Sequence, residues 1–225
     1  MIRHNPLVTT AFLIGIVQVG ATQDRPAVAV LPFENAGSYG KDKEEFEALK
    51  RGLAATLSSE LSSGGAVRPI DRERIQKMLE ERGATASERL DLATAARIGK
   101  ALGARYTVAG TFVDLYGDFR IDAQIIDVES GEVVKVVRND PRLADRAQMF
   151  RMVQSVGDRI LEAMKIPTPG KPAGRNIPTE AIISYSRALL YLDRGDKQRA
   201  TEFATKAAQS FPGYAEAETL LKSLR

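Results

Sequence analysis

The chain has 225 residues, of which 44% are hydrophobic and 27% charged, with a formal net charge of +3. This length suits one main domain with an appendage, and this charge content excludes a protein with many membrane spans. Basic and acidic residues are interspersed, so the small positive excess indicates no nucleic-acid-binding surface. The only histidine is His4 and there is no cysteine, which excludes disulfides, thiolate metal sites, cysteine nucleophiles and a lipidated cysteine.

The first residues have the layout of a secretory signal peptide. Arg3 and His4 precede an apolar stretch over residues 7–19, and small residues follow around Ala21. The apolar stretch is shorter than the roughly 20 residues that span a bilayer. We therefore expect residues 1–21 to be a signal peptide that is cleaved after Ala21. The alternatives are a retained membrane anchor and a cytoplasmic chain with a chance apolar start.

The next segment predicts a β-α-β unit. Residues 26–33 are an apolar run closed by proline, which is typical of a short strand buried on both faces. From residue 42 to residue 63, apolar residues recur every three or four positions and predict an amphipathic helix. These residues are Phe46, Leu49, Leu53, Leu57 and Leu61. Residues 66–70 predict a second strand, parallel to the first because the helix makes a right-handed crossover.

Two further helices are predicted before the sheet resumes. The first is capped by Asp71 and turns Ile75, Met78 and Leu79 toward the core. The second is capped by Ser87 and continues through the alanine-rich residues 90–102. Because alanine allows close approach, we expect this helix to lie directly against the sheet or a neighbouring helix.

The following residues predict an antiparallel meander with a covering helix. Residues 105–116 and 118–128 are rich in β-branched and aromatic side chains, which predicts a hairpin around Gly117. A tight turn leads into a third strand over residues 133–138. A helix over residues 144–164 presents an apolar side made of Met149, Val153, Val156, Ile160 and Met164. The element order β-α-β-α-α-β-β-β-α predicts an α/β (α+β) fold, with a mixed sheet and helices packed against it.

The last part of the chain predicts a linker and a helical tail. Residues 166–177 contain three prolines and two glycines, a composition typical of a linker. Residues 178–225 follow as a tail, in which residues 181–214 keep the spacing of one tetratricopeptide unit of about 34 residues. The matching positions are Ala188, Tyr191, Gly195, Ala200, Ala207 and Pro212. A single repeat cannot bury its faces alone, so the tail must pack on the first domain, another subunit or a partner.

Two sequence blocks in the first domain follow a known family pattern. The first is the opening strand VAVLPFEN at residues 28–35. The second is LGARYTVAGT at residues 102–111, followed in order by FRIDAQIIDV at 119–128 and SGEVV at 130–134. Together they resemble the TolB amino-terminal-like and CsgG-type bacterial envelope domains over residues 26–165. The resemblance implies an anticodon-binding-like fold and a role in protein assembly. The chain departs from CsgG-type channels, because it lacks their lipidated cysteine and its turns are too short for membrane hairpins.

Two polar clusters superficially resemble a phosphate-binding loop and a carboxylate site. Residues 37–41 lie between a strand and a helix, but they lack the Walker pattern of a phosphate-binding loop and predict a surface loop. Four aspartates cluster in the hairpin without EF-hand spacing: Asp114, Asp118, Asp122 and Asp127. Alternation suggests that Asp114 and Asp122 share a face and that Asp127 lies on the other. We expect solvated strand residues rather than an acid pair or a calcium site.

The predicted site lies on the tail. Tyr185, Leu189 and Leu192 match positions that line a tetratricopeptide concave face, so we predict partner binding there. Alternatively, these side chains pack against the tail's own closing helix or the main domain. Without His4 the mature chain would have neither histidine nor cysteine, so we expect no enzyme activity, no cofactor and no metal. A hydrolase that relies on carboxylates alone is the remaining enzymatic alternative.

These observations predict an exported, periplasmic and non-enzymatic binding or scaffold protein. It would assist the assembly of a cell-envelope complex through protein–protein contacts, with envelope proteins rather than nucleic acid as partners. We expect it to self-associate through its sheet edge, to bind its partner through its tail, and to associate peripherally with the membrane, at the outer membrane. The alternative is a structural subunit of an outer-membrane secretion or motor-associated ring.

Overall fold

The computed structural model describes residues 25–38, 42–81, 91–167 and 175–225. The predicted signal peptide and Ser87 lie outside these residues, as do residues 168–174 of the predicted linker. No helix within the described ranges is long and apolar enough to cross a membrane.

The strands form one mixed sheet in the order β3-β1-β4-β5-β6, with β2 paired to β4. They are β1 (Ala27–Val30), β2 (Glu34–Asn35), β3 (Arg68–Pro69), β4 (Tyr106–Leu115), β5 (Asp118–Asp127) and β6 (Val133–Arg138). Strand β1 is parallel to β3 and to β4, whereas β4, β5 and β6 are an antiparallel meander. The predicted mixed sheet, its parallel crossover and its meander are therefore confirmed. The short strand β2 was not predicted.

Seven helices accompany the sheet in the described chain. They are α1 (Lys43–Ser62), α2 (Arg72–Glu81), α3 (Leu92–Leu102), α4 (Met149–Ala163), α5 (Thr179–Asp193), α6 (Lys197–Ser210) and α7 (Ala215–Leu224). A 3-10 turn, Arg146–Gln148, precedes α4. Helix α3 begins at Leu92, because the Asp91 side chain accepts a hydrogen bond from the Thr94 backbone amide at 2.6 Å. This cap lies closer to the helix than the predicted Ser87, and the left-handed Gly103 ends the helix.

Two apolar clusters lie on opposite faces of the sheet. Helices α1 and α4 cover one face, where Phe112 and Ile125 are buried. Helices α2 and α3 cover part of the other face, where Ile126 is buried. Strand β1 contributes Val28 to the first cluster and Ala29 to the second, which is why its sequence is apolar without alternation. At about 1.5–3 kcal/mol for each fully buried aliphatic side chain, these clusters are the main stabilisation of the domain.

Helix α1 is buried on more than its predicted stripe. The five stripe residues are at most 6% exposed, so the amphipathic prediction is confirmed. Other residues such as Ala48, Gly52 and Glu60 are buried too, because α5 packs against a second side of α1. Helix α1 therefore lies between the sheet and the helical tail.

The β4–β5 hairpin turns through Tyr116 and Gly117, which have φ angles of 58° and 93°. Two positive φ angles define the tight turn that suits the twist of a hairpin. The register places Asp114 opposite Phe119 and Asp122 opposite Thr111. The expectation that Asp114 and Asp122 share a face is therefore wrong. Directly opposed residues share a face, and this two-residue turn gives the two aspartates opposite parity.

Candidate functional site

A groove of about 440 Å³ lies where the helical tail meets the α/β domain. The end of α1 and the start of α2 form one wall, with Ser59 and Arg72. Helices α5 and α7 form the other wall, which includes Thr219. Arg175, which precedes α5, and Glu216 add charge to the lining. The groove therefore combines an apolar floor with a charged rim.

All three residues of the predicted site line this groove. Tyr185 is 7% exposed and Leu189 is 2% exposed, whereas Leu192 is half-buried. The Tyr185 ring packs on the Tyr214 ring with 5.3 Å between centroids, and burial raises the pKa of Tyr185 to about 12. Tyr185 and Leu189 also belong to the core shared with α1. The three side chains are thus brought together on the groove floor, and their binding of a partner stays a prediction.

Helix α5 crosses α1 closely at Gly52. A Cβ atom at Gly52 would lie 1.6 Å from Ser186 Oγ and 2.5 Å from Ser186 Cβ, so a larger residue would push the two helices apart. The Ser186 hydroxyl donates to the Ile182 carbonyl at 2.7 Å and is satisfied within α5. Apolar residues of the tail and of the α/β domain form one continuous cluster. The tail is therefore part of the fold rather than a separate appendage.

The last residue of α5, Asp193, connects the tail to two other helices. Its carboxylate accepts from Arg51 Nε of α1 at 2.7 Å and from Arg72 of α2 at 2.5 Å. The Asp193 side chain is 6% exposed. Charge-assisted hydrogen bonds in such a shielded place are stronger than surface pairs. The loss of Asp193 would leave Arg72 without this partner, whereas Arg51 would keep its pair with Glu47.

A second charged cluster forms the opposite part of the groove wall. Arg175 and Ser59 both hydrogen-bond the carboxylate of Glu216, and Arg175 lies 3.6 Å from Glu60. Burial acts to raise the pKa of Glu216, but these hydrogen bonds outweigh it and hold the pKa below its ordinary value. Glu60, which is 4% exposed, also accepts from Gln154 at 3.2 Å. The groove therefore presents a charged carboxylate beside a guanidinium.

Sequence reasoning missed this charged cluster. Arg175 falls in the predicted linker, whose composition carries no sign of an ion pair. Glu60 precedes Leu61 of the apolar stripe, but glutamate on a helix is normally solvated. The sequence offers one indication of a buried ion pair, namely that Glu60 adjoins the predicted core residue Leu61. This indication becomes specific only when the partner, Arg175, is known.

The hairpin aspartates do not form one site. Asp114 is 2% exposed and pairs with Arg146 at 2.9 Å, and burial raises the pKa of its carboxyl group. Asp122, on the other face, pairs with Arg138 at 2.5 Å. In the described ranges, no three histidine, cysteine or acidic residues are grouped so that they could hold a metal ion. The expectation that all four are solvated is wrong for Asp114, because α1 and the 3-10 turn cover that face.

Of the predicted surface loop at residues 37–41, the structure describes Gly37 and Ser38. Their backbone amides donate to Asn35 Oδ1 at 3.2 Å and 2.8 Å. Ser38 Oγ accepts from the Asp114 amide at 2.9 Å. These amides are used to attach the start of the loop to the sheet.

Comparison with known families gives a match to the model of the curli production assembly/transport component CsgG, over residues 9–118. The α/β domain is CsgG-like. This confirms the resemblance drawn from the two sequence blocks, whereas the tetratricopeptide character of the tail stays a prediction. No curated protein is significantly similar to the chain.

Several solved structures are similar to this chain. The LpoB C-terminal domain from Salmonella enterica is 17% identical, with 54% of this chain and 85% of that chain covered and a TM-score of 0.34. TolB from Acinetobacter baumannii is 17% identical, with coverages of 62% and 27% and a TM-score of 0.36. The PelC dodecamer from Paraburkholderia phytofirmans is 16% identical, with coverages of 64% and 89% and a TM-score of 0.35.

Proposed function

We propose that this chain is an exported, non-enzymatic periplasmic scaffold that assists the assembly of a cell-envelope complex by binding a partner protein in the groove. The observation that carries the proposal is that a single groove collects Tyr185, Leu189 and Leu192 beside the paired charges of Arg175 and Glu216. An apolar floor with a polar rim is the anatomy of protein-recognition sites. The CsgG-like domain supports an envelope role, because its family model is that of an assembly/transport component.

The shape of the floor favours a short helical segment as the bound part of the partner. Tyr185, Leu189 and Leu192 are spaced by four and three residues along α5, so they form a stripe about 10 Å long. A bound amphipathic helix of about two turns would contact Leu192 directly and only the exposed edges of Tyr185 and Leu189, which are 7% and 2% exposed. The Arg175–Glu216 pair would then contact the polar edge of that helix.

Site-specific photocrosslinking in living cells tests the groove. A photoreactive residue at Thr219 lies on the groove wall, and one at the neighbouring exposed Glu218 lies on the same helix outside the groove. We expect a discrete crosslinked product from position 219 that is weak or absent from position 218. Equal products from both positions, or none from either, would contradict the proposal.

A blocking substitution supplies the matched control. Thr219→Arg places a long side chain in the groove, whereas Glu218→Arg makes an equally large change beside it. We expect Thr219→Arg, but not Glu218→Arg, to abolish a crosslink from a photoreactive residue at Leu192. Both variants should keep the wild-type melting temperature, since both positions are exposed.

Localisation and assembly are tested separately. Export predicts that the protein recovered from the periplasmic fraction begins at Thr22, and an intact Met1 in the cytosol would contradict it. Native mass spectrometry separates the scaffold from the ring subunit, because a closed ring of identical copies would favour the ring. A protein that binds a different envelope protein through the groove favours the scaffold.

A further inference from the structure

Exposed apolar side chains of the described chain concentrate on the meander. Five large hydrophobic residues are exposed, and four of them belong to it: Leu115, Tyr116, Val134 and Val136. Val134 is 44% exposed and Val136 is 56% exposed, and both lie on β6. Strand β6 ends the sheet, and no strand of the described chain pairs with its outer edge. Strand β6 bulges at Val134, where its register against β5 shifts by one residue. The regular edge that can pair with another strand is therefore residues 135–138, about 13 Å long.

The hydrogen bonds of the meander establish which residues of β6 offer free backbone groups. The Asn139 amide donates to the Ile121 carbonyl of β5 at 3.2 Å. Since inward and outward groups alternate along a strand, the backbone of Val137 also faces β5. The backbone groups of Val136 and Arg138 therefore point away from the sheet. This places free donors and acceptors beside the most exposed valine.

We propose that β6 pairs in antiparallel fashion with β6 of a second copy, about a two-fold axis at Val136. Val136 then lies opposite Val136 of the second copy, and their outward backbone groups exchange two hydrogen bonds. Lys135 lies opposite Val137 of the second copy, and the bulged Val134 lies outside the regular overlap. The partner strand is thus an identical surface, as a two-fold interface requires.

The neighbouring registers are less favourable. An axis at Lys135 would place two lysines directly opposite each other, which is destabilising. An axis at Val137 would bring backbone groups that face β5 to the centre, and it would pair each Val136 with Arg138 of the other copy. An axis midway between two residues would place side chains from opposite faces of the strand directly opposite each other. The axis at Val136 places the most exposed valine opposite its counterpart, with outward backbone groups at the centre and no like charges directly opposed.

The charges on β6 are compatible with this pairing. Arg138 Nε lies 2.5 Å from Asp122 Oδ1, so its charge is compensated within its own subunit. Its aliphatic stem can therefore pack against Val136 of the second copy, its diagonal neighbour. The two copies of Lys135 are diagonal neighbours and repel each other weakly. Salt screens this repulsion, so we expect the dimer to become tighter as ionic strength rises.

Single-cysteine oxidation tests the register, because the natural chain has no cysteine. At the two-fold axis the Cα atoms of residue 136 are about 5.5 Å apart, within disulfide range. The two residues at position 134 are roughly 13 Å apart, too far for a disulfide. We expect oxidised full-length Val136→Cys to form a covalent dimer and Val134→Cys to stay monomeric. Equal crosslinking of both variants, or crosslinking of neither, would overturn the proposal.

A proline variant tests the backbone hydrogen bonds. Val136→Pro removes an N–H that faces away from β5, so β5–β6 pairing is retained. We expect its dimer dissociation constant to rise roughly tenfold or more, because the pair of bonds at the axis is lost. Val136→Thr keeps the N–H and the β-branched shape and should remain dimeric. A Val136→Pro protein that is folded by circular dichroism yet dimerises like the wild type would refute the pairing.

This inference is independent of the groove. Thr219→Arg changes the groove but not β6, so it should leave the dimer dissociation constant unchanged. Val136→Pro changes β6 but not the groove, so it should leave the crosslink from position 219 intact. Failure of one proposal therefore leaves the other standing.

Discussion

The helical tail buries its apolar surface within the chain, whereas the antiparallel meander leaves part of its apolar surface exposed. Helix α5 buries Ala188 and Leu189 against α1 within the same chain, and ion pairs such as that of Asp193 surround the contact. Strand β6 leaves Val134 and Val136 in solvent beside free backbone groups. An apolar surface that is buried within its own chain contributes to stability, whereas an apolar surface that stays exposed is available for association with another molecule.

Removing the carboxylate of Asp193 should have the largest effect. Asp193→Ala leaves Arg51 and Arg72 shielded without their common partner, and we expect the free energy of unfolding to fall by about 3 kcal/mol. Chemical denaturation measures this change. The control is Asp140→Ala, since Asp140 pairs with the exposed Arg142 and its removal should cost far less stability. Equal losses in the two variants would show that the tail is not held by its ion pairs.

Adding one methyl group where α5 crosses α1 should have the next largest effect. Gly52→Ala places a Cβ atom against Ser186, and we expect a loss of about 2 kcal/mol as the helices separate. Gly157→Ala in α4 is the matched control, because its nearest neighbour, Leu57 Cδ1, would be 3.6 Å away. That variant should gain about 0.5–1 kcal/mol from helix propensity. A neutral Gly52→Ala would mean that the tail does not pack on α1.

Substitution of a buried and of an exposed valine of β6 should change the free energy of unfolding by different, smaller amounts. Val137, 5% exposed, faces the core, and Val137→Thr should cost about 1–2 kcal/mol. Val136→Thr on the open face should change the stability of the monomer by no more than about 0.5 kcal/mol. Thermal unfolding below the dimerisation concentration provides the comparison. A larger loss from Val136→Thr would show that the open face is covered within the monomer.

On acidification, one carboxyl group in the tail and one in the meander should change the free energy of unfolding by small amounts of opposite sign. The pKa of Glu216 is lowered in the folded tail, so its stabilisation is present above the unfolded pKa and is lost as pH falls through the folded pKa. We expect Glu216→Gln to be less sensitive to acid than the wild type below about pH 4.5. Unfolding free energies between pH 6 and pH 3 report this. An unchanged acid dependence would contradict the ion-paired role of Glu216.

Asp114 in the meander should behave in the opposite way. Burial raises the pKa of its carboxyl group, so the folded protein binds more protons than the unfolded chain in the range just above the unfolded pKa. This group therefore favours folding more as the pH falls through that range. We expect Asp114→Asn to lose stability more steeply on acidification than the wild type. A shallower loss would indicate that the pairing with Arg146, rather than burial, dominates.

Elements with strong periodicity were predictable because their burial is regular. The stripe of α1, with Leu53 and Leu57, follows directly from spacing, and so does the apolar side of α4. The hairpin around Gly117 follows from β-branched composition and a residue that accepts positive φ. The cap of α3 was placed at Ser87 rather than Asp91 because serine and aspartate cap equally well. Local signals define such ends only within a few residues.

The candidate site was predictable only in part. The spacing of Tyr185, Leu189 and Leu192 placed them on one face of a helix, and they do line one groove. The opposite wall comes from α1 and α2, more than a hundred residues earlier. No local pattern could pair Arg175 with Glu216 or bring Asp193 to Arg51. Such contacts depend on how the tail docks.

The order and kind of the elements follow from the amino-acid sequence, because hydrophobic periodicity and turn residues act over a few positions. The two blocks that begin at residues 28 and 102 carry the resemblance to CsgG-type domains. Tertiary packing places α1 between the sheet and the tail, buries Asp114 but not Asp122, and leaves the outer edge of β6 without a strand partner among the described residues. These features depend on packing between distant segments, whose geometry follows from the whole fold rather than from any local pattern.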